Sequence, residues 1–287
     1  MLIGVHSSAF TQGQSLAEAV EASLNLGLRA FELFAEVQNN HFGRPAVGYW
    51  AAGHTEREWE EVATLLQGRF ARLTVHAPLE GSGANITASN PGIREEAQRQ
   101  VQRTIDFAAF VGAEVVVVHH GWPAAFASPS EFFAQSRRAL EKFATHAAKR
   151  GVRLGVENVH SFFASPEQLW ELIAPFPAEA VGFCLDTGHC PLCYLRREER
   201  TPERANEVLL AAVRCFGPRL VNVHAHDYDG QRDHRALARG WFDWQRVVGT
   251  LEEVGYRGAL MLEINEEDDL TALQESLAQL AASFSHL

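Results

Sequence analysis

The sequence predicts one α/β domain over residues 1–287, a single (β/α)8 barrel of the TIM type. Three observations predict it. Short apolar runs alternate with amphipathic runs eight times along the chain. The short runs are apolar almost throughout rather than at every second residue, as expected of a parallel sheet covered by helices. No Gly-rich phosphate fingerprint follows the first run, which counts against a doubly wound nucleotide-binding sheet.

In chain order, Leu2 to Phe10 reads as the first strand, and Ser15 to Leu26 as a helix with apolar residues at three- and four-residue spacing. Gly27 ends that helix in the left-handed conformation. Arg29 to Ala35 is the second strand, followed by a helix over His54 to Gly68. Arg72 to Ala77 is the third strand, with a long amphipathic helix from Pro91 to Gly112. The β-branched run Glu114 to His119 gives the fourth, before a helix from about Ser130 to Gly151.

Arg153 to Asn158 is the fifth strand, and Ser165-Pro166-Glu167 opens the next helix with an N-cap and a proline at its first position. Val181 to Asp186 is the sixth, and Thr201-Pro202-Glu203 repeats that device. Leu220 to His224 is the seventh, with a helix from about Asp243 to Gly255. Ala259 to Ile264 is the eighth, closed by a helix over Asp268 to Phe284. No low-complexity tract or linker divides the chain. The longest irregular insert, Glu36 to Gly53, suits a cover over the barrel mouth or a contact in a homo-oligomer.

Composition narrows the partners. The chain is 46% hydrophobic and 21% charged, ordinary for a globular protein. Its longest apolar stretches fall short of the roughly 20 residues a membrane span needs. Met1 to Val5 carries no basic leader, so a cytoplasmic protein without a membrane partner is expected. A net charge of -11 lacks the basic footprint of a nucleic-acid binder. The four cysteines, Cys184, Cys190, Cys193 and Cys215, are expected as free thiols.

Chemistry gathers where the strands end. Buried strand bodies exclude unpaired charge, yet each of the eight runs ends on a polar residue: His6, Glu32, His76, His119, Glu157, Asp186, His224 and Glu263. In a barrel these C-terminal ends form the active face. His6, Glu32 and His120 are expected as hydrogen-bonded strand caps. Glu157, Asp186, His224 and Glu263 are expected as a metal site, because three carboxylates beside an imidazole repel one another unless a cation sits among them. Mixed oxygen and nitrogen donors suit a divalent ion such as manganese, cobalt or zinc better than calcium, with magnesium as a further candidate. His76, His119, His189 and His234 form a second tier, able to hold additional metal or to orient substrate hydroxyls. Neither H-E-x-x-H nor G-x-S-x-G occurs, so zinc-protease and α/β-hydrolase readings have no anchor.

Six segments, in order, resemble the xylose isomerase-like (β/α)8 superfamily, which holds sugar isomerases and epimerases alongside endonuclease IV. They are Val75-His76-Ala77-Pro78, Val118-His119-His120-Gly121, Val156-Glu157-Asn158, Leu185-Asp186-Thr187-Gly188-His189, Val223-His224-Ala225-His226-Asp227 and Leu262-Glu263-Ile264. The resemblance implies that Glu157, Asp186, His224 and Glu263 bind one divalent metal. It further implies that Glu157 and Glu263 act as acid and base in isomerising or epimerising a sugar, sugar phosphate or related polyol through a metal-stabilised enediolate. Substrate oxygen would be touched at His189 and in the neighbourhood of Arg219, of which only His189 aligns by motif. The endonuclease IV branch, a zinc phosphodiesterase acting at abasic DNA, implies a wider set that adds His76, His119, His189 and His234. This chain departs from that branch in loop seven, with Arg232 in the place of an aspartate, Asp233 directly before His234, and Ala238-Arg239-Gly240 in place of Gly-Glu-Gly. Either Asp233 assumes the aspartate's role or the third ion is lost. A third reading is a barrel that binds such a ligand with little turnover.

Overall fold

The computed structural model describes residues 1–39 and 43–284. Eight parallel strands close into a barrel in chain order, β1 pairing with both β2 and β8. They are β1 Leu2–His6, β2 Ala30–Phe34, β3 Arg72–His76, β4 Val115–Val118, β5 Arg153–Glu157, β6 Val181–Asp186, β7 Leu220–Ala225 and β8 Ala259–Leu262. Outside them lie α1 Leu16–Asn25, α2 Glu56–Leu66, α3 Pro91–Val111, α4 Pro129–Arg150, α5 Pro166–Ile173, α6 His189–Tyr194, α7 Pro202–Phe216, α8 Trp244–Glu253 and α9 Asp269–Phe284.

Helix starts follow from local chemistry. Ser15 with Glu18, Thr55 with Glu58 and Ser128 with Glu131 each form a reciprocal capping box, satisfying two otherwise orphaned N–H groups per helix. Proline opens α3, α4, α5 and α7, where its missing N–H costs nothing.

Two departures from the sequence reading are informative. β1 stops at His6, because Ser7–Ala9 turns into a short 3-10 segment in which the Ser7 hydroxyl bonds Val47 O at 2.8 Å. The unforeseen helix α6 follows β6 directly. With its Cys190 and Pro191 buried, it closes the site's flank.

Packing falls into two layers. The main apolar cluster lies between strands and helices, and smaller clusters, Val115–Val117–Cys184–Val221 and Ala30–Ala259–Met261, fill the remainder. Register then sets the mouth. His6 lies opposite Glu32, and an irregularity after Phe183 gives β7 one extra residue, bringing Asp186 level with His224. A bulge of this kind re-aims side chains beside functional sites. All four cysteines are free.

Candidate active site at the barrel mouth

The C-terminal mouth brings together Glu157, Asp186, His224 and Glu263 with His76, His119, His189 and His234. His224, fully buried at the end of β7, is the hub. Its Nδ1 lies 2.8 Å from Glu263 Oε2, 3.6 Å from Glu157 Oε2 and 3.9 Å from Asp186 Oδ2. Its Nε2 faces the other way, 2.7 Å from Glu32 Oε1. Glu32 is held in turn by Thr74 Oγ1 at 2.5 Å and Asn222 Nδ2 at 2.7 Å. Glu32 is thus hydrogen-bonded as expected, but from the middle of β2 rather than its end, and it faces the His224 ring nitrogen turned away from the other carboxylates.

Two imidazole groups flank this centre. On one side His76 Nε2 and His119 Nε2 approach Glu157 Oε2 at 3.1 and 3.4 Å, with His119 Nδ1 3.1 Å from Glu80. On the other side His189 Nδ1 lies 3.3 Å from Glu157 Oε1, and His226 Nε2 lies 2.7 Å from Asp186 Oδ2. His234 Nε2 stands 3.8 Å from Glu263 Oε1. His226 and Glu80 escaped the sequence reading. His226 follows His224 at strand spacing, a signal present in the chain, whereas Glu80 sits in an irregular loop and gave none.

Loop seven brings Asp233 and His234 to the mouth together. His234 has φ 54, a left-handed backbone in a non-glycine residue. In an extended chain these neighbours would point apart. Here both reach the mouth, with Asp233 Oδ2 3.7 Å from His189 Nε2 and Asp233 Oδ1 3.1 Å from His234 Nδ1. The loop is anchored by Asp227, which accepts from Trp244 Nε1, Tyr228 N and Phe242 N. An added Cβ at Gly240 would lie 2.1 Å from Asp227 Oδ1, so glycine is needed there on steric grounds.

The electrostatics are those of a charge cluster buried from water. Burial works to raise the pKa of Glu157, but His119 and His224 outweigh it and hold the carboxylate well below its ordinary value. Glu263 is held low in the same way, by His224 and His6 against burial. Burial works to lower His189, and Asp186 with Glu157 reverses this, pushing it up to about 9. His224 Nδ1 and Glu263 Oε2 are buried and only 2.8 Å apart, yet neither makes a directed hydrogen bond. Two buried donor atoms turned to one point suit a shared cation, and Asp186, His224 and Glu263 offer ligand atoms all within 4.8 Å of one another. Three further groups among the described residues bring their ligand atoms equally close: His76–His119–Glu157, Glu157–Cys184–His224 and Asp186–His189–His226–His234.

A cavity of about 250 Å³ opens above these residues, walled also by Ser8, Gln38, Asn39 and Asn265. Asn40 and His41 of the predicted cover lie outside the described residues. Arg219 is not at this site. It lies at the opposite end of the barrel, where its guanidinium donates to Ile173 O and Phe176 O, because it precedes β7 rather than following it.

A closed parallel barrel whose C-terminal mouth collects carboxylates and imidazoles defines a class of TIM barrel in which every strand contributes to one polar centre. Within that class, the chain belongs to the xylose isomerase-like TIM barrel family, whose sequence signature matches residues 20–283. It is similar to the uncharacterized protein MJ1311 of Methanocaldococcus jannaschii, with 27% identity over 97% of this chain and 89% of that protein. It is also similar to a probable endonuclease 4 of Mycobacterium leprae, with 28% identity over 74% of this chain and 82% of the relative. Among solved structures, a D-tagatose 3-epimerase-like protein superposes with a TM-score of 0.77 at 22% identity, covering 100% of this chain and 99% of the other. The 3-keto-D-glucoside 4-epimerase of E. coli superposes with a TM-score of 0.73 at 18% identity, covering 98% and 99%. Among the described residues no helix is long and apolar enough to cross a membrane.

Proposed function

We propose that the protein is a divalent-metal-dependent isomerase or epimerase acting on a small, uncharged sugar or related polyol. The observation that carries this reading is the convergence of His224 Nδ1 on Glu157, Asp186 and Glu263. These four residues would hold the metal. Bound there, a divalent ion would supply Lewis acidity that makes a C–H beside a sugar carbonyl easier to deprotonate. Glu157 and Glu263, approaching from β5 and β8, are both held in the ionised form, so either is able to take that proton. His189 beside Glu157 and His234 beside Glu263 are placed to exchange the proton onward and reset each carboxylate. The structural neighbours named for epimerases and the small cavity support the same reading. A volume near 250 Å³ suits a monosaccharide, below the ~300–1,000 Å³ typical of drug-sized ligands.

The walls narrow the substrate class. Among the described residues no Lys or Arg lines the cavity, while Ser8, Gln38, Asn39 and Asn265 offer neutral hydrogen-bonding groups. Such walls suit hydroxyls rather than a phosphate ester, which would meet clustered carboxylates. Metal analysis of protein purified without chelator, followed by incubation with ketohexoses in D₂O under NMR, tests the reading. One manganese, cobalt or magnesium ion per chain with carbon-bound deuterium incorporation is expected. Absence of both a bound ion and exchange sinks it.

A second reading has its own observation. The two flanking histidine groups give ligand sets for additional ions, and the endonuclease 4 relatives share sequence over most of this chain. Two or three zinc ions per chain, together with nicking of an abasic-site duplex, would favour a phosphodiesterase. The net charge of -11 weighs against it.

A further inference from the structure

The opposite end of the barrel gathers arginines. Arg72 begins β3, Arg153 begins β5, and Arg257 precedes β8, and all three line a cavity of about 360 Å³ at the N-terminal end of the strands. Arg219 lies nearby, committed to two backbone carbonyls but adding its charge. Burial first, then repulsion by Arg219 and Arg72, pulls the pKa of Arg153 below its ordinary value, with Glu179 opposing. Guanidinium groups brought this close repel one another in the same way as carboxylates at the mouth.

Their hydrogen-bonding capacity is only partly used. Arg72 donates to Val221 O at 2.8 Å, Arg153 donates to Ala178 O, and Arg257 donates to Tyr256 O at 3.2 Å. Each guanidinium has five N–H donors in a rigid fork. The Nε atoms of Arg72 and Arg153 are buried without a hydrogen-bond partner. The carboxylate paired with Arg72 is Glu114, at 3.9 Å and 59% exposed, too distant and too wet to neutralise the group. Space for the arrangement is made by Gly182, where an added Cβ would lie 3.3 Å from the Arg153 guanidinium and 2.4 Å from Arg219 O.

We propose that this floor is a binding site for a phosphate group, carried by free phosphate or by a small phosphate ester, held by Arg72, Arg153 and Arg257. The planar guanidinium fork matches phosphate oxygens two at a time, and a dianion balances three such groups better than a carboxylate does. The site is separate from the mouth and does not depend on the reading of the chemistry there.

Titration of the purified protein with sodium phosphate at constant ionic strength tests it, read by calorimetry and by Tm. Sodium chloride serves as the control, and glycerol 3-phosphate as the ester. Saturable binding is expected, weakened about tenfold or more by Arg153→Gln and by Arg257→Gln. Stronger binding of free phosphate or of the ester upholds the site and tells which source it takes. Equal shifts from chloride, or unchanged affinity in the variants, overturn the proposal. Arg257 is exposed, so its variant remains informative if Arg153→Gln fails to fold. Phosphate held at the mouth instead would bind Arg257→Gln undiminished.

Discussion

The two ends of the barrel are built from the same strands and carry opposite charge. β3 runs from Arg72 to His76, and β5 runs from Arg153 to Glu157. Between those ends β3 and β5 are buried and carry only uncharged residues, so their charged side chains fall at the two rims. The ends differ in how they are satisfied. At the floor, arginines donate to backbone carbonyls that any sequence would present there. At the mouth, side chains answer side chains: Glu32 orients His224, Asn158 clamps Asp186 through its backbone N and O at 2.8 and 2.9 Å, and His226 holds Asp186 Oδ2. A network of that second kind is costly to leave half-made, which ties its members to one another.

The largest expected effect separates the two ends. Glu157→Gln or Glu263→Gln should lower turnover of whichever sugar the D₂O screen identifies by about 10³-fold. Arg257→Gln should leave turnover at the wild-type level. A floor variant that abolishes turnover while remaining folded would break the comparison. A second test compares neighbours on one strand end. His119 faces Glu157, whereas His120 faces the helix layer, its ring 4.7 Å from that of Phe163. Burial, then the charge of His119, lowers the His120 pKa from 6.5 to about 4. In the folded protein His120 thus stays neutral while the unfolded chain protonates. The linked stability is complete above pH 6.5 and is lost as pH falls towards 4, by roughly 3 kcal/mol. His120→Leu should flatten that part of the stability profile, measured by denaturant unfolding at stepped pH, and an unchanged profile would remove the assignment.

Glu32 offers a smaller test inside the mouth. Glu32→Gln keeps the shape but loses the charge facing His224 Nε2, and outer partners of metal ligands typically contribute about 10- to 100-fold in metal affinity. Retention under competing chelator should fall towards the upper part of that range. Unaltered retention would mean that His224 is oriented by packing alone.

Much of this was legible in the sequence, for reasons that differ by residue. Helix starts were readable because capping is local: Ser165 and Thr201, each followed by proline, accept from the backbone N–H three residues on. Most mouth residues were readable because polar residues that end several apolar runs of a barrel meet at one face. Glu32 lies in the middle of β2 instead, and its role depends on His224, 192 residues away in the chain and brought alongside only by barrel closure. His234 was visible as a candidate, yet its left-handed backbone, which lets Asp233 share the mouth, has no sequence signature in a non-glycine residue. Arg219 misled because it adjoins strand seven, while side-chain function depends on which end of the strand a residue occupies.

Gly188→Ala is the finest test of the mouth network. Gly188 has φ -72, an ordinary backbone for alanine, so the substitution adds no conformational strain of its own. Its consequence is steric: the new Cβ would lie 2.2 Å from His226 Cε1 and 2.3 Å from Nδ1. His226 cannot yield freely. Its ring stacks on His234 with centroids 4.1 Å apart, its Nδ1 accepts from His234 N at 2.8 Å, and its Nε2 holds Asp186. Displacing the ring therefore disturbs Asp186 and His234 together, without touching Glu157, Glu263 or His224 directly. Metal retention should fall by about tenfold, the lower end of the outer-partner range. Adding His226→Ala to Gly188→Ala should then cost little more than His226→Ala alone, since both act through one ring. Additive losses in that cycle would show that Gly188 acts through the turn after β6 instead.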